Sequence, residues 1–359
     1  MSFPFPDECT FLTDDVIASI HENPGFGQYF TDHMAVAEWS ADHGWHSDRI
    51  VDYAPMTMEP SSAVYHYAQE IFEGMKAYRH ADGSVWLFRP RANAERFVSS
   101  AQRMALPVID PDDFVQACHQ LVACDSRWVP TGEKEDSLYL RPFMMACENY
   151  LGVRPARSVI FTVIASPVGP YFAHGVRPVD IWISTRYSRV APGGTGAAKC
   201  GGNYAASMVA QQEATEHSCN QVLFVDAVEK RWIEELGGMN FFMITSNDEL
   251  ITPELNGNIL PGITRDSLLT IAPKIGLSPV ERKISTDEVI KGLESGAITE
   301  MFACGTAAVI NPIGALKDER GLYQPSEARY EKTVELRNYL LDIQYGRRED
   351  SYGWMHRVS

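Results

Sequence analysis

Near the middle of the chain, the nine positions Pro167-Val168-Gly169-Pro170-Tyr171-Phe172-Ala173-His174-Gly175 hold four Gly or Pro residues. Regular structure does not run through such a stretch, because proline lacks a backbone N–H and glycine favours no single conformation. The 359 residues therefore divide, as their length also requires, since single cores stop growing near roughly 250–300 residues. The boundary falls in this stretch, giving a small domain over 1–172 and a larger one over 173–359.

Both parts are rich in strands. In the first, Tyr29 to Trp39 and Ile50 to Met58 have strand composition, and Ala63 to Met75 has the pattern of a helix. Met75 to Tyr78 and Ser84 to Phe88 flank His80-Ala81-Asp82-Gly83, a hairpin signal because Asp-Gly accepts positive φ. Arg91 to Leu106 and Pro111 to Trp128 repeat apolar residues at helical spacing, and strands follow at Ser137 to Cys147 and Ser158 to Ser166. The second part reads as strand Asp180 to Thr185, helix Tyr204 to Thr215, and strands at Gln221 to Asp226, Trp232 to Glu235, Asn240 to Thr245 and Leu250 to Thr252. A helix opens after Leu260-Pro261-Gly262 and another covers Thr286 to Glu294. Strands Glu300 to Ala303 and Ala307 to Asn311 flank a turn, and a last helix spans Tyr330 to Ile343. The fold class expected is α+β (mixed α/β), in two domains.

Charge narrows the partners. Lysine and arginine number 31 against 47 acidic residues, a net charge of -16, which repels nucleic acid and anionic lipid. The first residues show no basic segment leading into an apolar run, and no apolar run is long enough to span a bilayer. The expectation is a cytoplasmic protein with no nucleic-acid and no membrane partner. Seven cysteines without a Cys-x-x-Cys pair and scattered histidines fit neither a disulfide framework nor a zinc site, so no metal is expected.

One segment carries unusual chemistry. Gly193-Gly194-Thr195-Gly196-Ala197-Ala198-Lys199-Cys200-Gly201-Gly202-Asn203 sets five glycines around a lysine. A Walker loop needs Gly before the lysine and Ser or Thr after it, where Ala198 and Cys200 stand. The dinucleotide fingerprint would need its third glycine where Lys199 stands. Taken alone, the loop reads equally well as a flexible surface segment with an ordinary lysine.

Other segments decide between these readings. Phe30-Thr31-Asp32-His33-Met34, Phe72-Glu73-Gly74-Met75-Lys76-Ala77-Tyr78, Leu87-Phe88-Arg89-Pro90 with Asn93 and Arg96, Tyr139-Leu140-Arg141-Pro142, Gly201-Gly202-Asn203-Tyr204, Glu235-Leu236-Gly237-Gly238-Met239-Asn240, Leu260-Pro261-Gly262 with Arg265, and Gly305-Thr306-Ala307 occur in this order. Together they make the chain resemble the branched-chain amino acid aminotransferases, of the fold type IV pyridoxal phosphate family, over nearly its whole length. The resemblance is to the longer, eukaryote-like branch.

The resemblance implies pyridoxal 5'-phosphate held as a Schiff base on Lys199, which would also carry the proton during transamination. It implies Glu235 beside the pyridine nitrogen, although without it Glu234-Glu235 would read as a solvated pair at a strand end. Arg96, Thr306 and the amides of Ile263 and Thr264, just after Leu260, would hold the phosphate, the last two at a helix N-terminus. Tyr204 would bond the ring's phenolic oxygen. Phe26, Tyr67, Phe72, Tyr139 and Tyr171 would wall the substrate pocket, with Val153 contributed across a homodimer interface. Each aromatic alone would more often be core. Arg141 would pair with the far carboxylate of glutamate or 2-oxoglutarate and swing away for leucine, and the Thr306-Ala307 amides would take the α-carboxylate. The substrates implied are leucine, isoleucine, valine, glutamate and their 2-oxo acids.

Two positions depart from the mammalian enzymes. Gly238 replaces a threonine beside the cofactor, and Ala308 and Asn311 replace a redox Cys-x-x-Cys. D-amino-acid aminotransferases and aminodeoxychorismate lyases share the fold but lack the Tyr-x-Arg-Pro and Phe-Glu-Gly-Met-Lys combination. A catalytically silent homologue would not need Lys199 and Glu235 together.

Overall fold

The computed structural model describes all residues except 7, 9, 170–176 and 328. The chain forms two compact units that interleave in sequence: one of Met1–Ala173, Ala198–Gly201 and Asp342–Ser359, the other of His174–Ala197 and Gly202–Leu341. The single cut expected from the sequence thus differs at two places. Backbone hydrogen bonds tie 198–201 to the first unit, and a terminal strand ties in 342–359.

The first unit contains α1 (Asp14–Glu22), β1 (His33–Ser40), β2 (Gly44–Asp52), α2 (Ala63–Tyr67), β3 (Glu70–Phe72), β4 (Met75–Arg79), β5 (Val85–Phe88), α3 (Pro90–Arg103), α4 (Pro111–Cys124), β6 (Ser137–Ala146) and β7 (Ser158–Val168). Its antiparallel sheet runs β5-β4-β6-β7-β1-β2, with β3 paired to β6. Prolines open α3 and α4, where a missing N–H costs nothing, and the Asp110 carboxylate caps α4 by accepting from the Asp112 N–H at 2.8 Å. Phe97 of α3, Phe114 of α4 and Phe161 of β7 are all fully buried. Their ring centroids lie 5.1 to 5.9 Å apart, and this aromatic cluster fixes the helices on the sheet.

The helix expected over Ala63 to Met75 stops at Tyr67. Ala68 is left-handed at φ 47, and the next residues satisfy their backbone groups by pairing with β6 as β3. Helical spacing of apolar residues cannot reveal that tertiary ladder.

The second unit contains β8 (Val179–Ser184), α5 (Gly201–Glu216, its first residue in the first unit), β9 (Gln221–Val225), β10 (Ile233–Leu236), β11 (Asn240–Thr245), β12 (Glu249–Thr252), α6 (Ile263–Ile271), β13 (Ser278–Glu281), α7 (Thr286–Ser295), β14 (Ile298–Gly305), β15 (Val309–Asp318), β16 (Gly321–Tyr323) and most of α8 (Glu331–Gln344). The sheet runs β10-β9-β8-β15-β14-β11-β12-β13 with β16 on β15, and an added β10–β11 pairing returns it on itself. Six strands, β8, β9, β10, β11, β14 and β15, therefore close a ring. Ile181, Leu223, Ile233, Phe241, Met301 and Ile313 are among the side chains of its buried core. The closure rests on one register pair, Glu235 opposite Asn240.

The terminal strand β17 (Met355–Arg357) pairs with β5 and so belongs to the first unit. It was not anticipated, nor were α1, β13 and β16, all short and lightly buried. No helix among the described residues is long and apolar enough to cross a membrane.

Phe161→Ala should destabilise the first unit by about 3–5 kcal/mol through the lost burial and the cavity left between Phe97 and Phe114. Urea unfolding followed by near-ultraviolet circular dichroism measures this. A loss below about 1 kcal/mol would mean that the cluster does not anchor the helices.

Candidate active site

In the first unit, Lys199 is pinned on both sides of its Cα. Its N–H donates to Ser100 Oγ at 3.0 Å, and its carbonyl accepts from the Phe72 N–H at 2.9 Å. Two residues on, the Gly201 N–H donates to the Glu70 carboxylate. Burial pushes the Glu70 carboxyl above its ordinary pKa, against the opposing pull of the Gly201 N–H and the Arg141 charge. The lysine amine lies 5.1 Å from the centre of the Phe72 ring. A glycine-rich surface loop would leave this backbone in water; here it is fixed, and Cys200 beside it is buried in the core.

Arg96 is buried and binds Glu73 in bidentate fashion at 2.7 and 2.8 Å. That fork holds the guanidinium in one orientation. The strand alternation of β6 sends Tyr139 and Arg141 to the same side. Arg141 donates to Tyr139 Oη at 3.0 Å, and its guanidinium carbon lies 4.7 Å from the Phe72 ring centre and 5.4 Å from that of Tyr139. Its Nε is buried without a hydrogen-bond partner. Phe26 meets Tyr139 edge-on at 5.1 Å and is half exposed. Tyr67 bonds the Leu151 carbonyl through its hydroxyl, and Val153 is 83% exposed. Tyr171 lies outside the described residues.

In the second unit, Glu235 is 3% exposed and Glu234 2%, so the pair is not solvated. Glu234 accepts from the Asn258 amide at 2.7 Å. Glu235 accepts from the Leu260 N–H at 3.1 Å and forms an ion pair with Arg189. Arg189 also donates to the carbonyls of Gly196 and Asn258 at 3.1 and 2.7 Å. Asn240, opposite Glu235, donates to the Leu260 carbonyl at 3.1 Å. A Cβ on Gly262 would stand 1.9 Å from the Asn240 side-chain oxygen, so only glycine lets α6 begin there. Ile263 and Thr264 form the first turn of α6, whose start has no side-chain cap. Tyr204 opens α5 near Gly238, where a Cβ would sit 3.5 Å from the Tyr204 ring. Thr306 and Ala307 occupy the turn from β14 to β15, which ends on Val309 at φ 61. A β-branched residue there is a strained choice of the sort found at ligand sites.

Arg189, Glu73, Glu70 and Asn240 were not singled out as site residues from the sequence. Glu73 and Asn240 lie inside segments that carry the resemblance, but nothing near Arg189 distinguishes it. His33, Cys124 and Asp125 are also close together in the first unit. The imidazole and backbone N–H of His33 both engage the Asp125 carboxylate, at 2.6 and 3.0 Å, as a buried structural pair.

Residues 70–316 match the model of the family "Amino-transferase class IV", and the chain belongs to that family. Within it, the chain is 51% identical to a probable branched-chain-amino-acid aminotransferase of Streptomyces coelicolor, over 97% of this chain and 96% of the relative. It is 50% identical to the branched-chain-amino-acid aminotransferase of Mycolicibacterium smegmatis, over 97% and 95%. The structure of the Escherichia coli branched-chain amino acid aminotransferase superposes with TM-score 0.75 at 26% identity, covering 90% of this chain and all of that one. The chain is thus a pyridoxal-phosphate-dependent aminotransferase of fold type IV, of the branched-chain group.

The residues present fit that cofactor: an amine on a fixed backbone, a buried carboxylate paired with Arg189, a phenol, and a glycine-led helix start without a side-chain cap. A Cβ at residue 74 would lie 2.1 Å from Tyr139 Oη. Gly74→Ala should therefore displace Tyr139 and lower stability by about 1–3 kcal/mol. Tyr139→Phe, which removes that oxygen, should recover part of the loss in the double variant. Melting curves of the two single variants and the double variant decide this, and purely additive losses would rule out the clash.

Proposed function

We propose that the chain moves the amino group of leucine, isoleucine or valine to 2-oxoglutarate, reversibly, with Lys199 as the residue that carries the cofactor and then the proton. The observation that carries this reading is the double anchoring of Lys199, which presents its amine over the Phe72 face from an immobile backbone. Pyridoxal phosphate supplies an electron sink when bound. Glu235, paired with Arg189 and the Leu260 N–H, is suited to hold a proton on the pyridine nitrogen. Tyr204 serves the phenolic oxygen. Arg96, Thr306 and the amides of Ile263 and Thr264 serve the phosphate, the helix start adding its dipole.

For the substrate, Phe26, Tyr67, Phe72 and Tyr139 supply apolar walls, and Gly238 adds no side chain beside Tyr204. The amides of the Thr306-Ala307 turn receive the α-carboxylate. Arg141 meets the distal carboxylate of glutamate; its unpartnered Nε, held over two aromatic rings, supports this assignment. Val153, Leu151 and Tyr65 are 83%, 61% and 62% exposed, and burial of such apolar side chains against a second copy of the chain supports a homodimer as the working unit. The compartment is the cytoplasm, in keeping with the strongly acidic composition.

Lys199→Ala should keep the fold, bind the cofactor noncovalently and lose transamination. Retention of the imine absorbance with near-normal turnover would show that another residue carries the cofactor.

Arg141→Met should lower kcat/KM for glutamate and 2-oxoglutarate by a factor of roughly 30 or more, from about 2–5 kcal/mol for a truncated charge pair. Leucine makes no such contact, so its half-reaction should change much less. Single-turnover absorbance follows each half-reaction separately. Equal losses for leucine and glutamate would assign Arg141 to the α-carboxylate or to the scaffold.

A further inference from the structure

The second unit contains a cavity of about 320 Å³ whose lining includes Trp182, Arg186, Glu213, Lys230, Arg231 and Arg320. None of these has a place in the reading of transamination above. Their charges are unequally satisfied. Arg320 is neutralised by Asp318 at 2.7 and 2.9 Å and lies 3.6 Å from Asp287. Lys230 Nζ donates to the neutral Ser188 hydroxyl at 2.5 Å. The guanidinium of Arg186 rests 5.0 Å from the Tyr187 ring centre and that of Arg231 4.7 Å from that of Trp232, and among the described residues neither is in an ion pair. On the same lining, Glu213 Oε2 is buried with no hydrogen-bond partner. A buried carboxylate oxygen without a donor is costly, and native structures seldom tolerate one unless something completes it.

The cationic wall is built rather than incidental. The Asp226 carboxylate accepts the N–H groups of Val228, Glu229, Arg231 and Trp232, at 3.1, 2.6, 2.9 and 2.8 Å. These four bonds hold the turn that presents Lys230 and Arg231, with Lys230 in the left-handed region at φ 53. Such a turn fixes two cations without spending either on an internal ion pair.

We propose that this cavity binds a small zwitterion of the α-amino-acid class, its carboxylate on Arg186, Lys230 and Arg231 and its ammonium on Glu213. Guanidinium groups suit a carboxylate, and an ammonium supplies the donor that Glu213 lacks. A polyphosphate is disfavoured by the carboxylates of Glu213, Asp287 and Glu319 on the same lining. Glu213 also shares α5 with Tyr204, nine residues and roughly 13 Å along one rigid helix. The cavity is thereby a second amino-acid site, mechanically joined to the helix that bears the phenol assigned to the cofactor ring.

The test uses holoenzyme carrying 5-fluorotryptophan, with the Trp182 fluorine resonance assigned through Trp182→Phe. Glycine, acetate and methylamine are titrated separately, glycine combining the charged groups of the other two, while cofactor absorbance is followed in the same samples. Glycine should shift the Trp182 resonance saturably, with an affinity at least ~10-fold above acetate or methylamine. Glu213→Gln should reduce glycine to the level of acetate. Arg186→Ala, at an exposed position, should weaken both glycine and acetate. The proposal is overturned if glycine gives no saturable shift, if acetate binds as well as glycine, or if Glu213→Gln binds glycine like the unmodified protein. A shift that vanishes in Lys199→Ala would locate the binding at the transamination residues and overturn it as well. Because the readout is at Trp182 rather than turnover, its failure leaves the transaminase reading untouched.

Discussion

A carboxylate removed from water must be met by a cation and by hydrogen-bond donors, or it takes up a proton. Glu235 meets that condition through Arg189 and the Leu260 N–H, and much of the second unit is arranged around it. Arg189 bonds the carbonyls of Gly196 and Asn258 as well, so one guanidinium joins the glycine-rich loop, the segment before α6 and strand β10. Asn240 adds the Leu260 carbonyl to the same network, at the one register pair that closes the ring of strands. Loss of the Glu235 carboxylate would therefore loosen each of these segments.

The first unit solves the same problem differently. Here the fixed charge is Arg96, forked onto Glu73, and Glu73 is itself tied to the β6 backbone through its N–H and the Pro142 carbonyl at 2.7 Å. Gly74 follows because any side chain would strike Tyr139. The Phe-Glu-Gly sequence is thus one device: an aromatic face for the lysine, a counter-ion for the arginine, and a gap for the tyrosine. Removing any one of the three disturbs the other two, since all are borne by a stretch of three residues.

How much of this the sequence disclosed follows from the range of each interaction. Strands β6, β7, β9 and β11 announce themselves by composition, and α3 and α4 by periodicity and their opening prolines. The lysine loop and Glu235 were found because resemblance ties them to chemistry, while their local sequence allowed a solvated lysine and a solvated Glu-Glu pair. The failures are all nonlocal. Residues 70–72 are a strand only because β6 is there to pair with, and β17 only because β5 has a free edge. Arg189 takes its role from partners 7, 46 and 69 positions away, at Gly196, Glu235 and Asn258, a relation that no periodicity encodes.

The turn between β14 and β15 shows what the departures from the mammalian pattern mean physically. Ala308 and Asn311 leave no pair of thiols at the turn, and both side chains are buried. The nearest cysteine in sequence, Cys304, is fully buried, and burial pushes its thiol far above the ordinary range. A thiol that does not ionise is a poor nucleophile toward oxidants and disulfides, so Cys304 does not stand in for the missing pair. The strain at Val309 is then the feature left to shape the turn.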